Sequence, residues 1–272
     1  MPSTEVLSWI RTRFMPHIWC PGCGHGVIMH ALIRALVALK KDKTQTVVAS
    51  GIGCSSRMAG YINACTLHST HGRSLAFSTG IKMHRPELTV VDVMGDGDCS
   101  AIGGNHFIHA CRRNIDITAI IMNNNIYGMT GGQASPTTPV GAWASTTPYG
   151  AIDPPFDICK LAEGAGASYV ARTTIANPKQ AETFIMNGIQ KKGFAVVEVV
   201  THCHTQFGRK NDRRLPMDNY NFFKEASVSL AKAQTMSPDE LVGKILCGEF
   251  VDKNVPEYTE QYGKVIENAR KE

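Results

Sequence analysis

The sequence predicts an α/β protein built on a doubly wound, mostly parallel sheet with a helical C-terminal extension. Apolar runs at 88–94 (LTVVDVM) and 115–122 (IDITAIIM) have the length and near-continuous hydrophobicity of strands buried on both faces. The stretch between them, from Cys99 to about Arg113, has helical length and spacing. The three together read as a strand–helix–strand unit with a right-handed crossover.

The remaining elements fit the same plan. Residues 23–40 read as a first helix, with Gly22, Gly24 and Gly26 at its entry, and a strand follows at about 46–52. Residues 73–83 read as a second helix leading, past Pro86, into the 88–94 strand. Residues 127–155 are rich in Gly, Ser, Thr and Pro without periodicity, and a connection that long in a compact domain is usually functional. Helix and strand then alternate again at 157–164 with 168–172, and at 179–192 with 194–200. From Pro216 onward the chain turns charged and helical, with little apolar content. The expected division is therefore 1–215, which carries the sheet and any site, and 216–272, a helical arm or tail.

With 272 residues and 43% hydrophobic content, the chain can bury a sizeable core. No apolar stretch approaches the ~20 residues of a membrane span, and the N-terminus, with Glu5, Trp9 and Arg11, shows no secretory pattern. A cytoplasmic location is expected. A net charge of +5 is modest and points to no nucleic acid. Nine cysteines in such a chain argue for reduced thiols, some of them metal ligands, rather than a disulfide framework.

Chemistry is signalled where the two buried strands end. Gly95-Asp96-Gly97 closes the first and Asn123-Asn124-Asn125 the second, with Asn124 placed 28 residues after Asp96. In an open parallel sheet ligands bind beyond the carboxyl ends of the strands. A carboxylate, an amide oxygen and freed carbonyls converging there suit a hard divalent cation, and magnesium holding a diphosphate is the natural occupant.

The cysteines form a second constellation. Cys20 and Cys23 have the spacing that lets two thiolates reach one metal or cluster. Cys54 follows the 46–52 strand and Cys203 follows the 194–200 strand, so both fall at the edge where Asp96 lies. Cys65 is the alternative fourth ligand; Cys99, Cys111, Cys159 and Cys247 read as packing residues. The residues alone leave two occupants open: an iron–sulfur cluster, or structural zinc bound by Cys20, Cys23 and some of His17, His25, His202, Cys203 and His204.

Asp96 and Asn124 at this spacing resemble the thiamine diphosphate motif, in which such a pair binds the magnesium that grips the cofactor. The resemblance implies a carboxylate oxygen from Asp96, an amide oxygen from Asn124 and the main-chain carbonyl of Ile126 as magnesium ligands. WCPGCGHG, GIGC, HGR, GDGD, NNNIYGMTGGQASPT and the late Cys203, in this order over about residues 9–210, resemble the thiamine-binding β subunit of the 2-oxoacid:ferredoxin oxidoreductases. That family's fold is the diphosphate-binding domain of thiamine enzymes. Its four ligands to one [4Fe-4S] cluster map onto Cys20, Cys23, Cys54 and Cys203. Its cofactor contacts map onto Ile52, Gly53, Cys54 and Ser55, onto His71, Gly72 and Arg73, onto Gly97 and Asp98, and onto Gly128, Met129, Thr130, Gly131, Gly132 and Gln133. His71 and Arg73 are the catalytic candidates, since both can donate to phosphate or to a substrate carboxylate.

Within the family, YGMTGGQ and HGR resemble the 2-oxoglutarate group. Met129 stands where pyruvate enzymes tend to have Asn, and Gly131 where some broader relatives have Lys. The implied reaction converts 2-oxoglutarate, coenzyme A (CoA) and oxidised ferredoxin to succinyl-CoA, carbon dioxide and reduced ferredoxin. A non-redox thiamine enzyme with structural zinc, or the same chemistry on pyruvate, is the competing expectation. The glutamate that activates thiamine comes, in that family, from an α subunit, so an obligate α subunit is expected, with γ and ferredoxin-like δ subunits as further partners. The basic run Arg209, Lys210, Arg213, Arg214 is a candidate contact for CoA, ferredoxin or the α subunit.

Overall fold

The computed structural model of the chain describes residues 4–271. Helix α1 (His25–Ala38) precedes strand β1 (Thr46–Ser50), then β2 (Cys65–His68), α2 (Ser74–His84), β3 (Thr89–Gly95), α3 (Gly104–Arg113) and β4 (Thr118–Asn123). After a two-stranded hairpin, β5 (Ile126–Tyr127) and β6 (Gln133–Ala134), come α4 (Ile158–Gly164), β7 (Tyr169–Thr174), α5 (Pro178–Gln190) and β8 (Ala195–Val200). The C-terminal part holds α6 (Pro216–Ala226), β9 (Ser227–Ser229), β10 (Ile245–Asp252) and α7 (Tyr258–Ala269).

The main sheet has eight strands in the order β2-β1-β3-β4-β8-β7-β10-β9, all neighbours parallel except β7 with β10. This is the doubly wound sheet that the buried apolar runs imply. Every residue of β1, β4, β7 and β8 is buried. Helices cover both faces, as parallel sheets require. One core packs α1 and α5 through Ile28, Leu32 and Ile185 against Val48, Val91, Ile120 and Val197. The opposite core packs α2, α3 and α4 through Leu75, Phe107 and Ile158 against Val90, Ile121 and Val196. Local signals set the boundaries. Asn177 caps α5 by accepting from the Gln180 amide, with Pro178 in the first turn. Asn114 ends α3 in the left-handed region at φ 52°, and its Oδ1 accepts from Ser168 Oγ and the Phe194 amide.

Two segments depart from the expected outline. The helix expected from Cys99 begins with a wide π turn at Asp98–Ile102 before α3, a distortion that turns up often beside functional sites. The C-terminal extension is helical in α6 and α7, yet it also returns a strand to the sheet. β10 pairs antiparallel with β7, with a register shift between Glu249 and Val251. Gly248 and Glu249 interrupt its apolar alternation, and only Cys247 of β10 is buried, so its sequence lacks the strand signature.

Candidate active site

The carboxyl ends of β1, β3 and β4 meet at one edge of the sheet, and the site is built there. Asp96 directly follows β3 and is 2% exposed. Its Oδ2 accepts from Ser135 Oγ at 2.5 Å and from Thr137 Oγ1 at 2.7 Å, while Oδ1 lies 3.4 Å from the Asn124 amide. Burial pushes the Asp96 pKa up, against the opposing pull of these donors. All of them are neutral, so a buried carboxylate sits there without a compensating charge. That donor set fits a divalent cation. Asn124 directs its side-chain oxygen at the Ile126 amide, 3.3 Å away, and Asp96, Asn124 and Ile126 line one small cavity of about 70 Å³.

The same cavity gathers Ile52, Gly53, Cys54, Ser55, His71, Gly97, Asp98, Gly128, Met129 and Thr130. Asp98 turns its carboxylate to the neighbouring loops: Oδ1 accepts from the Gly72 amide at 2.7 Å, lies 2.7 Å from His71 Nδ1 and takes the Ile52 amide at 3.4 Å. It ties three strand-end loops together.

Other expected contacts stand apart from that cavity. Arg73 is exposed at the start of α2 and donates to the Ile102 carbonyl at 2.9 Å. The glycine-rich stretch offers fewer free amides than its composition suggests. The Gly132 amide donates to the Tyr127 carbonyl at 2.9 Å and the Gly131 amide to the Gly128 carbonyl at 3.3 Å, closing the β5–β6 turn. Gln133 is likewise engaged with Thr130. Gly128, Met129 and Thr130 line the cavity, and among the described residues no such backbone bond engages their amides.

Sequence reasoning missed three contributors. Ser135 and Thr137 hold the Asp96 carboxylate, and Thr137 Oγ1 also lies 3.0 Å from Asn123 Oδ1. Tyr127 packs on Gly97, where an added β-carbon would fall 2.3 Å from its ring, and its hydroxyl donates to the Gly97 carbonyl at 3.1 Å. The only advance signal was the hydroxyl-rich composition of the long loop.

A second cavity, of about 270 Å³, is lined by Cys20, Cys23, Cys54 and Cys203 together with His25, His202 and His204. Thr205 Oγ1 lies 3.5 Å from Cys203 Sγ and 3.9 Å from Cys20 Sγ. Cys65 lies elsewhere, in β2 beside the Thr44 carbonyl, so the alternative fourth ligand is excluded by position. His17 is not among the lining residues of this cavity. Burial first, and then the neighbouring cysteines (Cys203, Cys54 and Cys20 for Cys23, Cys203 and Cys20 for Cys54), push the Cys23 thiol up to about 12 and Cys54 up to about 11. Thiols so placed ionise only with a cation among them. His25 is 1% exposed, and neither ring nitrogen has a partner. Burial pushes its pKa down to about 3. Its ring lines both cavities.

Among the described residues, the one tight group of acidic and thiol ligand atoms is Asp157, Cys159 and Glu198. The Arg172 guanidinium already pairs with both carboxylates.

Fold and site together define a thiamine diphosphate-binding domain of the kind found in thiamine enzymes. Residues 45–199 match the family described as thiamine pyrophosphate enzyme, C-terminal TPP binding domain. The chain is 54% identical to the 2-oxoglutarate synthase subunit KorB of Methanocaldococcus jannaschii, over 98% of this chain and 99% of that one. It is 49% identical to the Archaeoglobus fulgidus subunit of the same name, over 98% and 96%. The fold superposes with a TM-score of 0.87 and 32% identity on a 2-oxoglutarate:ferredoxin oxidoreductase from Magnetococcus marinus, solved with 2-oxoglutarate, coenzyme A and succinyl-CoA bound. That match covers 99% of this chain and 92% of the other. The chain belongs to the KorB family of 2-oxoglutarate synthase subunits.

Proposed function

We propose that this chain is the β subunit of a thiamine diphosphate-dependent 2-oxoglutarate:ferredoxin oxidoreductase. The reaction turns 2-oxoglutarate, CoA and oxidised ferredoxin into succinyl-CoA, carbon dioxide and reduced ferredoxin. The observation that carries this reading is the adjacency of two cavities. One is built around an uncompensated buried carboxylate and the other around four cysteines, and they share His25, Cys54, Asn124, Gly128 and Met129.

Asp96, Asn124 and the Ile126 carbonyl would hold magnesium, which would anchor the cofactor's diphosphate. Thiamine diphosphate supplies the carbanion chemistry of decarboxylation when bound. The chain's own groups orient it: the amides at 128–130 face the diphosphate, and Asp98 fixes the His71 loop. Cys20, Cys23, Cys54 and Cys203 would hold one [4Fe-4S] cluster, which would supply one-electron chemistry. Their spacing supports a cluster over a single zinc ion. Four thiolates on tetrahedral zinc stand about 3.8 Å apart. Among the described residues, no three ligand atoms that include one of these cysteines lie within 4.8 Å of one another.

The half-site is completed from outside. The residues lining the two cavities include no glutamate, and the cofactor-side cavity is small, about 70 Å³. An α subunit supplies the glutamate and covers the rest; γ and ferredoxin-like δ subunits complete the electron exit. Among the described residues no helix is long and apolar enough to cross a membrane, and all nine cysteines are free thiols, which suits a reducing cytoplasm. The group that reads the distal carboxylate of 2-oxoglutarate lies beyond Arg73, which is turned away.

Iron, acid-labile sulfide and zinc per chain, measured on anoxically purified protein, test the reading. About four irons and four sulfides are expected for one such cluster. Stoichiometric zinc without sulfide would overturn the redox half. Asp96→Ala should abolish thiamine diphosphate binding while leaving iron content intact.

A further inference from the structure

His25 stands apart from the other polar groups of the two cavities. It opens α1 two residues after Cys23 and is almost fully buried. Both ring nitrogens lack a partner. His202, on the same cysteine cavity, engages the Gly22 carbonyl through Nε2 at 3.0 Å, and Trp19 spends its Nε1–H on the Cys54 carbonyl at 2.7 Å. Trp19 also meets the His25 ring edge-on, with centroids 5.8 Å apart, and helps to fix it in place. Buried polar atoms without partners are rare, and each such group calls for an explanation, a bound group that engages it among them. Imidazole always carries at least one N–H, whereas thiolate and sulfide sulfurs are acceptors only. The cavity that His25 borders is the one lined by four cysteine sulfurs.

We propose that His25 is a positioning residue for the cysteine-held group, donating a ring N–H to one of its sulfurs and thereby raising its reduction potential. This rests on the iron–sulfur reading of Cys20, Cys23, Cys54 and Cys203. Hydrogen bonds to cluster sulfurs stabilise the more negative, reduced state and are one of the protein's levers on potential. The ring also forms part of the wall of the Asp96 cavity, so this donor stands where electrons leave the cofactor for the cluster.

The test uses the anoxically purified holoenzyme and its His25→Phe and His25→Gln variants. Phe keeps the ring's bulk and removes the donor, and Gln keeps an N–H on a side chain of similar reach. Iron and sulfide content comes first: a wild-type enzyme without them refutes the iron–sulfur reading itself and, with it, this proposal. With the cluster present, redox titration followed by electron paramagnetic resonance reads its midpoint. The expected result is a shift to more negative potential in His25→Phe and a return towards wild type in His25→Gln. Loss of the cluster in Phe but not in Gln supports the same role. An unchanged midpoint in His25→Phe, or equal loss of iron in both variants, overturns it, because packing alone would then explain the residue.

Discussion

Gly128 leaves room for Cys203 that a side chain would fill: a β-carbon at position 128 would stand 3.1 Å from Cys203 Sγ. The loop proposed to face the diphosphate and the strand end proposed to supply a cluster ligand are therefore packed closely together. Gly128→Ala should displace Cys203 by a few tenths of an ångström and reduce iron and sulfide per chain several-fold. Gly131→Ala is the control. A β-carbon there meets nothing within 4 Å, but φ is +113°, so it should cost about 1 kcal/mol of stability without loss of iron. Equal iron content in both variants would show that this packing does not govern assembly.

Thr137 should matter to metal affinity although it is no ligand. Its hydroxyl and that of Ser135 occupy Oδ2 of Asp96, which leaves Oδ1, engaged only at 3.4 Å by the Asn124 amide, as the oxygen proposed to coordinate. Groups that orient a ligand in this way typically contribute 10–100-fold to metal affinity. Thr137→Val should weaken magnesium-dependent thiamine diphosphate binding by about that factor in calorimetry, and Thr137→Ser should restore it. Unchanged affinity in the Val variant would mean that Ser135 alone suffices.

The contrast between Asp96 and Thr137 shows what the sequence discloses. Asp96 and Asn124 were legible because buried parallel strands announce themselves by composition, and topology then brings their ends together. The helices at 25–38 and 178–190 were legible for the same reason. Thr137 and Ser135 sit in a loop, where no periodicity fixes direction, and only the folded chain shows that they curl back onto Asp96. Arg73 shows the converse: its motif lies beside the site, and here its side chain donates to the Ile102 carbonyl. β10 escaped notice because a half-buried strand beside the sheet's edge needs no continuous apolar run.

Arg172 holds two carboxylates in the centre of the sheet. Its Nε bonds Glu198 at 2.6 Å and its Nη2 pairs with Asp157, while Glu198 Oε1 accepts from Asn123 Nδ2 at 2.7 Å. Asn123 Oδ1 in turn lies 3.0 Å from Thr137 Oγ1, so the pairing reaches the Asp96 site. Arg172→Met should destabilise the chain by about 3–5 kcal/mol in chemical denaturation, because it leaves Glu198 charged and buried. Adding Glu198→Gln should recover a substantial part. No recovery would place the loss in packing against Phe250, whose ring lies 5.3 Å from the guanidinium.

Asp92 supplies a pH dependence of known sign. It is fully buried in β3, its Oδ2 accepts from Ser78 Oγ at 2.7 Å, and its Oδ1 has no partner. Burial, partly offset by the Ser78 hydroxyl, pushes its pKa up to about 7 from an ordinary value of 3.8. Between those two values the folded chain binds a proton that the unfolded chain has released. Stability from this group is therefore complete below about 3.8, falls as pH rises towards 7, and is flat above it. Asp92→Asn removes the charge and keeps an acceptor for Ser78. Each tenfold change in proton affinity between the folded and unfolded chain is worth about 1.4 kcal/mol, and the weaker amide acceptor gives part of the gain back, so the variant should be more stable by roughly 3 kcal/mol at pH 8. At pH 4 it should gain almost nothing. Urea denaturation of both proteins at the two pH values decides the matter. A gain of equal size at both would mean that Asp92 does not hold its proton in the folded state.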